Sequence, residues 1–152
     1  MSQNNTTRDN LQAAFAGESQ ANRKYLYFAK IAREKGAEEV ARLFEETAAQ
    51  ETFHAFGHLE QLLPPETLTV ADMLRMAAEG ETYETEHMYP EFAAIAEAEL
   101  PGAGAAAPMV GKAAKRFAAL ARVEARHAAK YRDAFAKVQG AAQGLSAQGG
   151  ER

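Results

Sequence analysis

Apolar residues recur along most of this chain at intervals of three and four, the spacing of helices with one buried face. The stripe Leu11, Ala14/Phe15, Ala21, Tyr25, Phe28, Ala32 predicts a helix from about Arg8 to Lys35. Thr7 or Asp9 is its expected cap, and Gly36 its stop. A second stripe, Val40, Leu43/Phe44, Thr47 and Leu62, predicts a helix from about Ala37 to Leu63, closed by Pro64-Pro65. Thr69-Val-Ala-Asp72 has the form of a capping box. It opens a third helix that runs to about Glu99, with stripe Met73, Ala77, Met88, Phe92, Ile95. Leu100 to Pro108 reads as a loop, and about Met109 to Val138 as a fourth helix along Ala113, Phe117, Leu120, Tyr131 and Ala134/Phe135. The expected architecture is all-α: an antiparallel four-helix bundle with a crossover link between helices two and three. It occupies residues 1–138, and the Gly/Ala/Gln-rich stretch 139–152 reads as a frayed, flexible tail.

The chain also repeats itself. Ala16-Gly-Glu18 matches Glu79-Gly-Glu81 at an offset of 63 residues, and Tyr25-x-x-Phe-Ala-x-Ile-Ala32 matches Tyr89-x-x-Phe-Ala-x-Ile-Ala96 at 64. The third helix therefore carries one extra residue near Pro90, which a helix absorbs as a π-bulge.

Composition narrows the chemistry. The 152 residues contain no cysteine, which removes disulfides, thiolate-bound zinc, iron–sulfur clusters and a thiol nucleophile. A formal charge of -4 offers no basic face for nucleic acid or anionic lipid. The first ten residues hold no apolar signal core, and no stretch approaches the roughly 20 apolar residues that span a bilayer. A cytoplasmic protein without membrane or nucleic-acid partners is expected.

Ionisable residues interrupt each apolar stripe midway: Glu18 in the first helix, Glu51 and His54 in the second, Glu81 and Glu84 in the third, Glu124 and His127 in the fourth. Glu18 lies 18 residues before Gly36, while Glu51 and His54 lie 15 and 18 after it. Glu81 and Glu84 precede Leu100 by 19 and 16, and Glu124 and His127 follow Met109 by 15 and 18. At ~1.5 Å per residue, antiparallel partners come level within about one turn. Buried carboxylates without counter-charges are costly, and no Lys or Arg shares the stripes near that layer. Two divalent cations would balance them. One Glu-x-x-His alone is weak evidence, since such pairs arise by chance. Two of them, level with three more glutamates, form the di-iron or di-manganese carboxylate pattern. His58 and His87 adjoin the stripes but read as packed or surface residues; Tyr25 and Tyr89 read as core aromatics or as hydroxyl partners of ligand carboxylates.

Phe15-Ala-Gly-Glu-Ser-Gln20, Phe44-Glu-Glu-Thr47 with Glu51-x-x-His54, Gly80-Glu-x-x-Glu84 with Met88-Tyr-Pro-Glu-Phe92, and Val123-Glu-x-x-His127 resemble the rubrerythrins, ferritin-like proteins, over roughly residues 8–138. The resemblance implies that Glu18, Glu51, Glu81, Glu84, Glu124, His54 and His127 bind two irons, and that the centre reduces hydrogen peroxide to water. It further implies that one iron moves between His54 and Glu84 with oxidation state, and that Tyr25 and Tyr89 bond ligand carboxylates. Ala21 stands where a related subgroup has an eighth ligand. The rubredoxin domain of typical members needs four cysteines, so this form is expected to lack it and to draw electrons from a separate rubredoxin-like protein or reductase. Bundles of this type commonly dimerise, and a homodimer is expected. A ferroxidase or iron-handling protein, a di-manganese catalase-like enzyme and a metal-free helical interaction module are the competing readings.

Overall fold

The computed structural model describes residues 6–148, with side chains through residue 141. Among them every regular element is helical, and the chain divides into two compact units, Met1–Leu68 and Thr69–Arg152.

The first unit is a hairpin of α1 (Thr7–Glu34) and α2 (Glu38–Leu62). Thr6 caps α1: its hydroxyl accepts from the Asp9 N–H at 3.2 Å, while the Asp9 carboxylate accepts from the Thr6 N–H at 2.8 Å. The cap is thus Thr6 rather than Thr7 or Asp9, with Asp9 as the reciprocal partner three residues on. Gly36 turns the chain at φ 76°, a conformation that any side chain would strain. Arg33 braces this corner by bonding Glu38 at 3.0 Å and Glu45 at 2.8 Å. Pro64 and a 3-10 turn, Pro65–Thr67, close α2.

The second unit opens with the expected box, Thr69 accepting from the Asp72 N–H at 3.1 Å. One helical rod follows: α3 (Val70–Tyr83), a π turn (Glu84–Met88) and α4 (Tyr89–Glu99). The extra residue is therefore absorbed as expected, in the turn immediately before Pro90. The stretch read as a loop is two 3-10 turns, Leu100–Gly102 and Gly104–Ala106, and α5 (Ala107–Gln148) starts slightly earlier than predicted. It also continues past Val138 to Gln148, because alanine-rich sequence sustains a helix despite its glycines. Residues 149–152 of the expected tail lie outside the described residues.

Each hairpin closes on small residues. Ala29, Ala32, Ala41, Ala48 and Ala55 are buried in the first, and Ala78, Ala93, Ala96, Val110, Ala114 and Ala128 in the second. Small side chains let paired helices approach closely. Several larger members of the predicted stripes, including Val40, Leu43, Met73 and Ile95, stay exposed. A helix pair buries only the line along which it touches, whereas the stripes are wider than that line.

The hairpins repeat one another in detail. Tyr25 stacks on Phe44 at 5.9 Å between ring centroids, with Phe28 edge-on to the same ring at 5.5 Å. Tyr89 stacks on Phe117 at 6.1 Å, with Phe92 edge-on at 5.6 Å.

Candidate metal centre

In the first hairpin α1 supplies Glu18, while α2 supplies Glu51 and His54, three residues apart on one face. Donor atoms of the three lie within 4.8 Å of one another. Nδ1 of His54 is 2.9 Å from Glu51 and 3.8 Å from Glu18. Asn22 holds the level by donating to the Ala48 carbonyl at 2.7 Å and to the Thr52 hydroxyl at 3.0 Å, both across the hairpin. Sequence periodicity had passed over Asn22. Its signal was a polar side chain four residues after Glu18, on the flank of an apolar stripe.

The second hairpin repeats the set. Glu81 from α3 meets Glu124 and His127 from α5, again within 4.8 Å. Nδ1 of His127 is 2.7 Å from Glu124 and 3.5 Å from Glu81. Glu124 is only 9% exposed and is the one charged residue in the core of the described chain. Here too a polar bridge sits beside the set: Arg132 donates across the hairpin to the Thr82 hydroxyl at 3.0 Å.

Glu84, the first residue of the π turn, is half-buried and stands outside that tight trio. It is near enough for its charge to act on Glu81 and on the Tyr89 hydroxyl. His58 lies close to Glu18 without joining the donor set, and His87 is exposed, packed against Tyr83 at 5.6 Å.

The electrostatics are those of acids crowded without counter-charge. A hydrogen bond with Glu51 pushes the Glu18 carboxyl above its usual range, and the same bond, with His54, draws Glu51 below it. A proton thus stands between the two, on Glu18. Burial raises Glu81, and its hydrogen bond with Glu124 adds to this. Burial and the neighbouring Glu84 and Glu124 carboxylates keep the Tyr89 hydroxyl protonated well into alkaline solution. Among the described residues, the ion pairs of these four carboxylates come from His54 and His127 alone.

Each trio fits a divalent metal. Ligand atoms about 2.1 Å from one ion, roughly at right angles, lie about 3 Å apart, the scale of the separations here. Two carboxylates and an imidazole, without thiolate, are donors suited to iron or manganese. An ion must displace the proton held by Glu18 and the one favoured on Glu81. Metal uptake in mildly acidic solution is therefore expected to release protons, read calorimetrically as a heat that varies with the buffer's ionisation enthalpy. A buffer-independent heat would show these carboxyls already ionised.

A doubled helical hairpin with one Glu/Glu/His donor set in each half is the signature of a ferritin-like carboxylate metalloprotein. The rubrerythrin family profile matches residues 9–132. Over 144 residues the chain is 38% identical to rubrerythrin of Porphyromonas gingivalis, covering 88% of this chain and 68% of that protein. It is 45% identical over 106 residues to nigerythrin of Nitratidesulfovibrio vulgaris, covering 62% of this chain and 52% of the relative. A solved mixed-valence nigerythrin aligns at 33% identity and a TM-score of 0.38, over 91% of this chain and 70% of that one. The chain belongs to the rubrerythrin family. Membership implies di-iron binding, and the two Glu/Glu/His trios are groups that could hold it. In these two curated relatives the matched region is about half to two thirds of the length. No described helix is long and apolar enough to cross a membrane.

Proposed function

We propose that this chain reduces hydrogen peroxide to water at a di-iron centre that draws on Glu18, Glu51 and His54 from one hairpin and Glu81, Glu84, Glu124 and His127 from the other. The observation that carries the reading is the pairing of two equivalent Glu/Glu/His trios with one further carboxylate, Glu84, beside only the second. Six donors would serve many di-metal proteins, whereas a seventh anionic donor favours the more highly charged, oxidised pair.

Bound iron supplies the two electrons and the Lewis acidity that O–O cleavage requires. The protein's own groups do the rest. Glu51 and Glu124, the most buried carboxylates of the trios, orient the donor sets, and the Asn22 and Arg132 bridges hold the paired helices at one level. Tyr89 keeps its proton and so offers a hydrogen bond toward the carboxylates around it. Glu84 can hold a proton at its carboxylate in one oxidation state and ligate in the other, giving peroxide reduction a nearby proton source. These 152 residues contain no cysteine, so electrons arrive from a donor outside them, for which a rubredoxin-like protein or reductase has the appropriate chemistry. A cytoplasmic homodimer remains our working picture of the assembly.

The test is anaerobic loading with ferrous ion followed by rapid mixing. Peroxide should oxidise the loaded protein much faster than dioxygen does, with two irons per chain. Equal or faster reaction with dioxygen would move the assignment to an oxidase. Many irons per chain with a mineral core would move it to iron storage, and oxygen evolved without reductant to a catalase-like reaction.

A further inference from the structure

One buried side-chain polar atom among the described residues has no hydrogen-bond partner: Oγ1 of Thr85. Thr85 is the second residue of the π turn and directly follows Glu84. Other hydroxyls within the helices show what such a group ordinarily does. Ser19, Thr47, Thr52 and Thr82 each donate to the carbonyl four residues back, at 2.7, 2.9, 3.3 and 2.7 Å. For Thr85 that acceptor is the carbonyl of Glu81, itself a member of the second donor trio.

The Glu81 carbonyl is engaged elsewhere. The backbone N–H of Glu84 bonds it, and at the same time bonds the carbonyl of Gly80. Beyond that tightened point the helix widens, and the Tyr89 N–H reaches back to Glu84, five residues away. The first hairpin offers the contrast, because α1 runs unbroken and Asn22, beside Ala21, has both of its cross-hairpin bonds.

The two arrangements differ by a single exchange of acceptor. If the Glu84 N–H lets go of Glu81, it keeps its ordinary helical bond to Gly80, and the Thr85 hydroxyl gains a partner. That exchange adds one hydrogen bond and loses none. It also returns Glu84 to regular register, three residues from Glu81 on the same helix face. Charge opposes the move, because Glu84 would approach Glu81 and Glu124 with no cation between them.

We propose that Thr85 is a positioning residue for Glu84: its hydroxyl competes with the Glu84 N–H for the Glu81 carbonyl, and winning that acceptor seats the Glu84 carboxylate against the Glu81–Glu124–His127 trio. A metal ion in the trio removes the opposing charge, so ion uptake and the Thr85 bond reinforce each other. The inference rests on the di-metal reading above. π turns recur where a helix must re-aim a functional side chain, and this one carries its own internal latch.

Thr85→Val and Thr85→Ser test it in the full chain, by thermal melting without metal and by anaerobic ferrous titration. Valine keeps the shape and removes the donor. Metal-free Thr85→Val should melt at or above the wild-type midpoint, since it loses only an unpaired hydroxyl. It should bind the weaker of two ferrous equivalents about tenfold less tightly, the loss typical when a ligand's outer partner is removed. Thr85→Ser should restore wild-type affinity. A lowered metal-free midpoint would show the hydroxyl already partnered and overturn the inference. So would ferrous affinity within about twofold of wild type, or failure of serine to rescue it. Wild-type protein that takes up no ferrous ion would overturn the di-metal reading itself. Two ions bound equally by wild type and Thr85→Val would remove only the role of Thr85.

Discussion

Glu84→Ala is expected to slow oxidation of the ferrous-loaded protein by peroxide about a hundredfold, while leaving helix content and two bound metals intact. The size follows from removing one preorganised charged group from beside a reacting centre, which typically costs 10²- to 10³-fold. Fold should survive because alanine is the best helix former and Glu84 is only half-buried, outside the tight trio. Metal count should survive because both Glu/Glu/His sets remain. Stopped-flow absorbance with peroxide reads the rate, circular dichroism the helix, and metal analysis the stoichiometry. An undiminished rate would leave Glu84 as an ordinary polar residue at a helix irregularity. Loss of metal together with rate would make it a structural ligand rather than one adjusted to the oxidised state.

The second large effect concerns stability. Stripping metal with a chelator is expected to lower the melting midpoint by about 10 °C. An ion present at a thousand times its dissociation constant stabilises the fold by about 4 kcal/mol. In a chain of this length each kcal/mol moves the midpoint by about 2–4 °C. The metal-free trios lack any other source of balance, since their ion pairs come only from His54 and His127 among the described residues. Calorimetry of loaded and stripped protein measures the shift. Midpoints that agree within about a degree would mean that the carboxylates are satisfied without an ion, and the metal assignment would fail with them.

Helix type and position were legible because the punctuation is strong: Gly36, the Pro64-Pro65 pair and the Thr69–Asp72 box each stop or start a helix for a local reason. The π turn was legible too, from arithmetic alone, since an offset that grows from 63 to 64 residues must place an extra residue between Glu81 and Tyr89. The same arithmetic would have corrected the first cap, because Thr6 and Asp9 precede Thr69 and Asp72 by 63 residues. Within each hairpin, the levels of Glu18 with Glu51 and His54, and of Glu81 with Glu124 and His127, followed from counting residues on either side of the turn.

What escaped the sequence depends on contacts rather than on period. Asn22 and Arg132 look like ordinary helix residues until a neighbouring helix supplies Thr52 and Thr82 as partners. Large residues were expected along the seams, yet alanines occupy them, because periodicity reports which face is apolar and not which line on it touches. The start of α5 at Ala107 and its extension to Gln148 were missed for another reason. Glycine and proline near a helix end weaken a propensity argument that the surrounding alanines still win.

The likeness of the two hairpins, down to a capping threonine, a stacked tyrosine and a Glu/Glu/His set in each, is what tandem duplication of a half-length gene would leave behind. Two identical ancestral copies would have offered identical surroundings to both ions, with no means of telling them apart. Joining the copies in one reading frame let a single inserted residue and a single exchange, alanine at position 21 against glutamate at 84, accumulate on one side only. Ancestral symmetry could thus give way to a division of labour, one ion held constantly and the other free to change its coordination.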